Sequence, residues 1–429
     1  MKISASLLLF FIALSLNAQK YVLDSIRSAD SSLIHEKFNE LAYADSSQAF
    51  IHFFDKLDSV YRGENTKVHI FHIGGSHIQA DIYSNKLRTY LHNMNITAQA
   101  QRGFIFPFHL ASTNNPLNYR IEGNKRRWER FRSSVRNEHS IWGLSGITVT
   151  LTDTIDTLRI AANYKNYTLQ PYMFDRIRIF YDALPAAYCI RVSDSLNFIV
   201  SEYRDTLAGF VEFQLDKETE TLELEIRRTD STGNPQFKLM GFELMNNHSG
   251  VEYTSIGVNG ASFESYSRCI AFEQQLSLYK PDLFIISIGT NDAYTPDFDS
   301  LKFEAYYNSF LQMILRVNPD CAVLLTVPND SYYKRKNANK NTRIQQSIIH
   351  RLARKHQMAV WDFYAIMGGL GSSQKWYHKK WMQRDRIHFT SMGYSIKADL
   401  LLKALATQWE KTCGYEAGEV LNSIIRKNE

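Results

Sequence analysis

Apolar positions along this chain change their period twice. Within residues 47–61, Phe50, Phe53, Phe54, Leu57 and Tyr61 recur at helical spacing, so 19–62 reads as an amphipathic helical segment covering whatever follows. Residues 68–73 form a short apolar run that passes through Gly74-Gly75 into Ser76, after which Ile78, Ile82, Leu87, Tyr90 and Leu91 mark a helix face. Strand, tight turn and helix open an α/β unit. From about residue 116 the period falls to two. The runs 157–161, 176–181, 210–215 and 221–227 are strand-like, and in the last Leu222, Leu224 and Ile226 alternate with polar residues, as in a half-exposed antiparallel strand. After about residue 250 short, continuously apolar strands (253–258, 283–288, 322–327, 358–363) alternate with helical patterns at 303–317, 342–356 and 394–411. With 68–73 this predicts about five parallel strands covered by helices on both faces, and an antiparallel β-sandwich over 116–250 placed between the second and third of them.

Composition narrows the class. Hydrophobic residues at 44% and charged residues at 22% belong to a globular chain, and 429 residues allow two or three domains. Residues 1–18 stand apart: Lys2 precedes a nearly uncharged apolar run over 3–16, and Leu16-Asn17-Ala18 ends on a small residue. That is the pattern of a secretory signal peptide cleaved after Ala18, shorter than the roughly 20 residues a membrane span needs, and it predicts a secreted or periplasmic protein with no stable membrane insertion after cleavage. The four cysteines, Cys189, Cys269, Cys321 and Cys413, are widely spaced in apolar contexts and read as buried free thiols. A net charge of +5 is too small for a nucleic-acid binder, although it would suit an anionic polymer.

Four short stretches carry chemistry. Ser76 ends a strand and begins a helix, where a side chain is exposed at the carboxyl edge of a parallel sheet; with Gln79 it also fits a capping box, and both readings stand on spacing alone. Asp385-Arg386-Ile387-His388 precedes the last helix, and a serine nucleophile needs both a base and a group that fixes the base's tautomer. Residues 287–292 follow an apolar strand and offer the Asn291 amide; residues 256–261 end the preceding strand and offer a glycine N–H at Gly260. Each is equally a plain turn when taken alone.

Together, the order Ser76, Gly260, Asn291, Asp385/His388 resembles the four blocks of the SGNH, or GDSL, hydrolases. The resemblance implies a flavodoxin-like α/β hydrolase fold with about five parallel strands and a serine esterase needing no cofactor. It implies Ser76 as nucleophile, His388 as base and Asp385 as its orienter, with the Ser76 and Gly260 N–H groups and Asn291 as the oxyanion hole. Gly75-Ser76-His77-Ile78-Gln79-Ala80-Asp81, Arg102-Gly103-Phe104, residues 255–261 and Gln374-Lys375-Trp376 are similar to the peptidoglycan O-acetylesterase branch, which carries an inserted sandwich like a carbohydrate-binding module. The domains expected from these readings are a signal peptide at 1–18, a helical segment at 19–62, which the resemblance does not cover, hydrolase parts at 63–115 and 251–429, and the insertion at 116–250. The implied substrate is an O-acetylated cell-wall or other glycan; the alternatives are a glycan O-acetyltransferase and a catalytically decayed glycan-binding protein. One position departs from the family, Gly75 standing where Asp is usual.

Other residues attract attention for different reasons. His69, His72 and His77 lie close in sequence, but His69 and His72 fall on opposite faces of a strand, so no metal site is expected. Trp128 and Arg130, within the basic aromatic stretch 125–132, and Tyr333 and Lys334, in a loop leaving the catalytic end of the sheet, are the candidates for contacting a glycan.

Overall fold

The computed structural model describes residues 32–168, 170–183, 187–193, 199–233 and 235–428. The expected signal peptide at 1–18 lies outside the described residues. Five parallel strands form the central sheet: β1 (Lys67–Gly74), β2 (Gly250–Gly257), β3 (Leu283–Ser287), β4 (Ala322–Thr326) and β5 (Ala359–Trp361). Their spatial order is β2-β1-β3-β4-β5, the flavodoxin-like arrangement, in which the strand order reverses between β1 and β3.

β1 shows why both faces are covered. Val68 and Ile70 point into one apolar cluster with Phe53, Phe54 and Leu57 of helix α1 (Gln48–Tyr61). Phe71 and Ile73 point into the opposite cluster, which holds the apolar faces of α4 (Ser300–Val317) and α5 (Asn341–His356). The segment after Ser76 is not one helix. It is a single turn, α2 (Ser76–Gln79), then α3 (Tyr83–His92), broken where Asp81 takes a φ of 45°. The last long helix, α6 (Ser391–Cys413), is capped by Thr390, whose side chain accepts from Gly393 N, and ends at Gly414 with φ 78°.

Between β1 and β2 lie two antiparallel layers. One sheet runs in the order 128–132, 147–151, 237–245, 174–182, 210–219, 199–205, with 103–105 also paired to 237–245; the other runs 120–122, 155–161, 221–228, 188–192. The layers share a core, with the Tyr188 and Phe237 rings 5.3 Å apart. Two expectations need correcting. The antiparallel segment enters between the first and second parallel strands, not the second and third, because no other parallel strand intervenes. Its pairing also starts at Gly103, ahead of residue 116, and residue 250 already belongs to β2. All four cysteines are free, Cys269 and Cys321 buried, Cys189 and Cys413 half-buried.

Candidate active site

All the chemical residues sit past the carboxyl ends of the parallel strands, where an open α/β fold binds ligands. β1 ends at Gly74, where a Cβ would lie 2.3 Å from Ile78 Cγ1; the missing side chain lets α2 begin immediately. Ser76 therefore presents its hydroxyl at the sheet edge, and Oγ lies 2.8 Å from His388 Nε2. His388 Nδ1 lies 2.7 Å from Asp385 Oδ2. With Nδ1–H donating to the carboxylate, Nε2 remains the acceptor for the Ser76 hydroxyl. Asp385 Oδ1 accepts from the N–H groups of Ile387 and His388 at 2.9 and 3.0 Å, so the carboxylate closes its own turn as well as orienting the imidazole. Burial alone would raise the Asp385 carboxyl; the His388 hydrogen bond and these two N–H groups outweigh it and bring it down to about 2.

The capping-box alternative for Ser76 does not occur. The residue preceding α2 is Gly75, no side chain caps the helix, and Ser76 Oγ is engaged by His388. Gln79, buried at 1% exposure, turns the other way. Its Oε1 accepts from Asn259 N at 2.7 Å, and its Nε2 donates to Thr113 Oγ1 at 3.0 Å and Asn114 O at 2.9 Å. The helix that begins at Ser76 thereby holds the loop that carries Gly260. That loop is also held from the antiparallel layers, where Ser134 Oγ donates to Asn259 O at 2.8 Å.

Gly260 turns with φ 84°, and neither its N–H nor that of Ser76 donates to an acceptor among the described residues. Asn291 Nδ2 donates to Ala261 O at 2.8 Å, which leaves its second N–H for a ligand. The same nitrogen would lie 3.3 Å from a Cβ on Gly75, so it borders the turn that presents Ser76. Asp292, next to it, accepts from Phe263 N at 3.1 Å, and burial raises it to about 7.

A buried polar layer beneath the site was not anticipated. The His77 ring packs 5.1 Å from that of His388, and its Nδ1 lies 2.9 Å from Tyr394 OH. Burial, then the neighbouring His388 and Lys397, hold His77 well below the usual imidazole range. Lys397, one turn along α6, is enclosed by the rings of Phe363 (4.6 Å) and Tyr83 (4.8 Å), and burial pulls it down to about 7. His72 lies 2.6 Å from Tyr253 OH and 2.8 Å from Ser287 Oγ, and burial lowers it to about 3. Asp81, at the break between α2 and α3, pairs with Arg88 at 3.1 Å and accepts from Ser255 and Asn118 at 2.6 and 2.8 Å. It ties the segment that follows Ser76 to β2 and to the antiparallel layers.

The candidate glycan contacts fare unequally. Trp128 is 7% exposed, and its Nε1 donates to Asp156 Oδ2 at 2.7 Å; it joins the two antiparallel layers and offers no face to a sugar. Arg130 is exposed, with Nη1 3.4 Å from Ala111 O. Tyr333 and Lys334 lie on a hairpin after β4, where the Tyr333 ring meets Tyr294 at 5.1 Å and Lys334 N donates to Tyr294 OH. His69 faces Glu252 and His72 faces Tyr253, each engaged separately, and no group of three or more metal-ligating side chains forms among the described residues.

Residues 231–396 match the model of the GDSL-like Lipase/Acylhydrolase family. The match takes in Gly260, Asn291, Asp385 and His388 but starts beyond Ser76, because the antiparallel layers separate the first block from the rest. Among solved structures, a peptidoglycan O-acetylesterase has a similar fold, with a TM-score of 0.65 at 21% identity over 86% of this chain and 97% of that one. An acetylxylan esterase from Geobacillus stearothermophilus matches over 37% of this chain and 74% of its own, with 18% identity and a TM-score of 0.30. A putative GDSL-like lipase from Parabacteroides merdae matches over 39% and 74%, with 15% identity and a TM-score of 0.30. No curated protein matches.

Proposed function

We propose that this chain, a carboxylic ester hydrolase of the GDSL-like acylhydrolase type, is exported and removes O-acetyl groups from a glycan, peptidoglycan being the substrate. The observation that carries the reading is the unbroken line Ser76–His388–Asp385, at 2.8 and 2.7 Å, facing donors that no acceptor among the described residues uses. His388 Nε2 takes the hydroxyl proton as Ser76 Oγ attacks the ester carbonyl. The oxyanion is held by the Ser76 and Gly260 N–H groups and the free N–H of Asn291. His388 then returns the proton to the sugar oxygen as the C–O bond breaks, leaving acetyl on Ser76. Water attacks next, losing its proton to His388, which passes it to Ser76 Oγ as the acyl bond breaks and acetate leaves. Asp385 stays ionised throughout and stabilises the imidazolium. The intact triad weighs against a decayed binding protein: Gly75 leaves room beside the Asn291 amide and removes none of the groups used. The chain's fold likeness to a peptidoglycan O-acetylesterase and its N-terminal apolar run support the choice of substrate and the export.

The test is acetate release from O-acetylated peptidoglycan and from acetylated xylan, by the wild type and by Ser76→Ala. The wild type should release acetate from the peptidoglycan faster, and Ser76→Ala should lose about 10⁴-fold or more in kcat, since triad members act as a unit. Because Ser76 does not cap α2, the variant should unfold within about 0.5 kcal/mol of the wild type. Turnover that survives in folded Ser76→Ala excludes the mechanism, and a preference for xylan excludes the substrate.

A further inference from the structure

The mechanism leaves unused the hairpin after β4, formed by Tyr332–Tyr333 and Asn337–Ala338. We propose that this hairpin, with the adjoining turn around Arg386, is a carboxylate-binding subsite that makes an acidic glycan the preferred polymer. The proposal rests on the esterase reading above and specifies which glycans that site takes.

The hairpin is fastened to both halves of the catalytic constellation. On one side Tyr294, just past the helical turn 290–293 that carries Asn291, receives Lys334 N–H on its hydroxyl at 3.0 Å and packs on Tyr333 at 5.1 Å. On the other side Arg386, between Asp385 and His388, donates through Nη1 to Arg335 O at 2.9 Å. Its guanidinium lies between the rings of Tyr332 (4.9 Å) and Tyr377 (5.5 Å), and Nε is buried without an acceptor. Tyr377 is fixed in turn, because its helix (Ser372–His378) is anchored by Asp330, whose Oδ2 accepts from Ser373 N and Oγ at 3.0 and 2.7 Å.

The tip of the hairpin is built against conformational preference. Lys334 and Arg335 take φ of 49° and 61°, a region where glycine or asparagine is at ease and a long side chain costs about 1 kcal/mol. Neither is Gly or Asn, so the positions hold charge where a turn would favour other residues. Lys334, Arg335 and Lys336 are all exposed, as is Arg384 on the neighbouring turn, and none has a carboxylate partner among the described residues. The sequence around them is cleared of competing acid: residues 331–361 contain no Asp or Glu, and residues 363–398 contain only Asp385. The result is a rim of unpaired cations interleaved with Tyr332, Tyr333 and Tyr377, starting one residue from the triad. Guanidinium and ammonium groups suit carboxylates, and tyrosine rings suit sugar faces. A glycan carrying both, threaded past Ser76, fits this rim better than a lipid surface, which would need neither the rings nor proximity to the triad.

The test compares wild type with Lys334→Glu/Arg335→Glu/Lys336→Glu on three substrates at low and high salt: O-acetylated peptidoglycan, neutral acetylated xylan and a small chromogenic acetate ester. At low salt KM for the acidic polymer should rise about tenfold or more with kcat little changed, and the difference should shrink in about 0.5 M salt. KM for neutral xylan and the rate on the chromogenic ester should move far less. The Gln/Gln/Gln variant, which removes the charges without reversing them, should fall between. Equal losses on all three substrates, or none on the acidic polymer, would overturn the subsite. A parallel measurement of retention on polygalacturonate and on phosphatidylglycerol vesicles needs no turnover. If the wild type cleaves the chromogenic ester but no glycan, the acetyl-glycan reading fails while retention on polygalacturonate still decides the subsite. Charge-dependent binding to vesicles alone would replace it with a lipid surface.

Discussion

Gln79 offers a sharp test of how this site is held together, because it touches no substrate atom and yet links two catalytic parts. In Gln79→Leu three hydrogen bonds disappear, to Asn259 N, Thr113 Oγ1 and Asn114 O. Thr113 keeps a donor in Asn259 Nδ2 at 3.2 Å, so two groups are orphaned, the Asn259 N–H and the Asn114 carbonyl. Asn259 is half-buried and Asn114 exposed, so water replaces part of each lost bond and the loss of stability should be about 1–2 kcal/mol. The catalytic effect has a different origin. Once Asn259 is released, Gly260 and the Ala261 carbonyl that fixes Asn291 can drift. A full donor is worth roughly 10²–10³ in kcat, so partial misplacement of two should cost about 10–100-fold with a smaller change in KM. Gln79→Glu separates the two effects. It keeps the acceptor for Asn259 N but loses both donors and sets a carboxylate against the Asn114 carbonyl. It should be about as unstable as the leucine variant while retaining most of kcat. Urea unfolding and initial rates on a chromogenic acetate ester measure both. If Gln79→Leu unfolds more easily but turns over normally, or if Gln79→Glu loses as much kcat as Gln79→Leu, the clamp described here does not exist.

In the proposed mechanism the second N–H of Asn291 acts on the developing oxyanion, so Asn291→Ala should lower kcat by about 10²–10³ while KM changes much less; a change confined to KM would make it a substrate contact. Asp385 is held at about 2 in the folded chain against 3.8 for the free group, so its contribution of up to about 2 kcal/mol is complete above pH ~4 and lost as the pH falls through 2. Urea midpoints of Asp385→Asn and wild type should therefore differ at pH 5 and converge near pH 2. Lys397 is pulled from 10.5 to about 7, so the folded chain binds fewer protons than the unfolded one between those values, and its stability rises with pH there. Lys397→Met should accordingly stabilise by about 2–4 kcal/mol at pH 6, with the gain vanishing above pH ~10; a loss at pH 6 would show that the aromatic enclosure more than compensates the buried charge.

What could be read from the sequence was whatever is local. The apolar runs ending at Gly74, Gly257 and Ser287 announce buried parallel strands by themselves, and each functional block sits within a few residues of such an end. Asp385 and His388 find each other across one turn, which their spacing already allows. The network beneath the site was hidden because its members are distant in sequence: His77 meets Tyr394, and His72 meets Tyr253 and Ser287. Lys397 was the one visible sign, a lysine three residues after Tyr394 on a helix whose neighbours are apolar. Trp128 was misjudged because a tryptophan among arginines looks exposed from sequence, and only the pairing of 128–132 with 147–151 brings its indole over Asp156. The break at Asp81 was missed because the apolar positions on either side of it keep helical spacing, while Asp81 is drawn out of the helix by Arg88, Ser255 and Asn118.

The position of β1 has a consequence for how the chain is made. Val68 pairs with Val251, and Ile70 with Leu283, so both neighbours of the nucleophile strand are synthesised long after it. Until they arrive, β1 is an apolar strand with two open edges, the kind of segment that invites wrong partners. The intervening layers shorten the wait. Gly103 pairs with Leu244, so once those layers have folded, the loop still to be closed between β1 and β2 shrinks from the whole interval to the short stretches on either side. Loop closure then costs less, and the slow long-range pairing becomes a nearly local one. The same order of synthesis governs the site, because the hydrogen-bonded line from Ser76 through His388 to Asp385 can close only after residue 388 has been added, more than 300 residues behind the strand that presents Ser76.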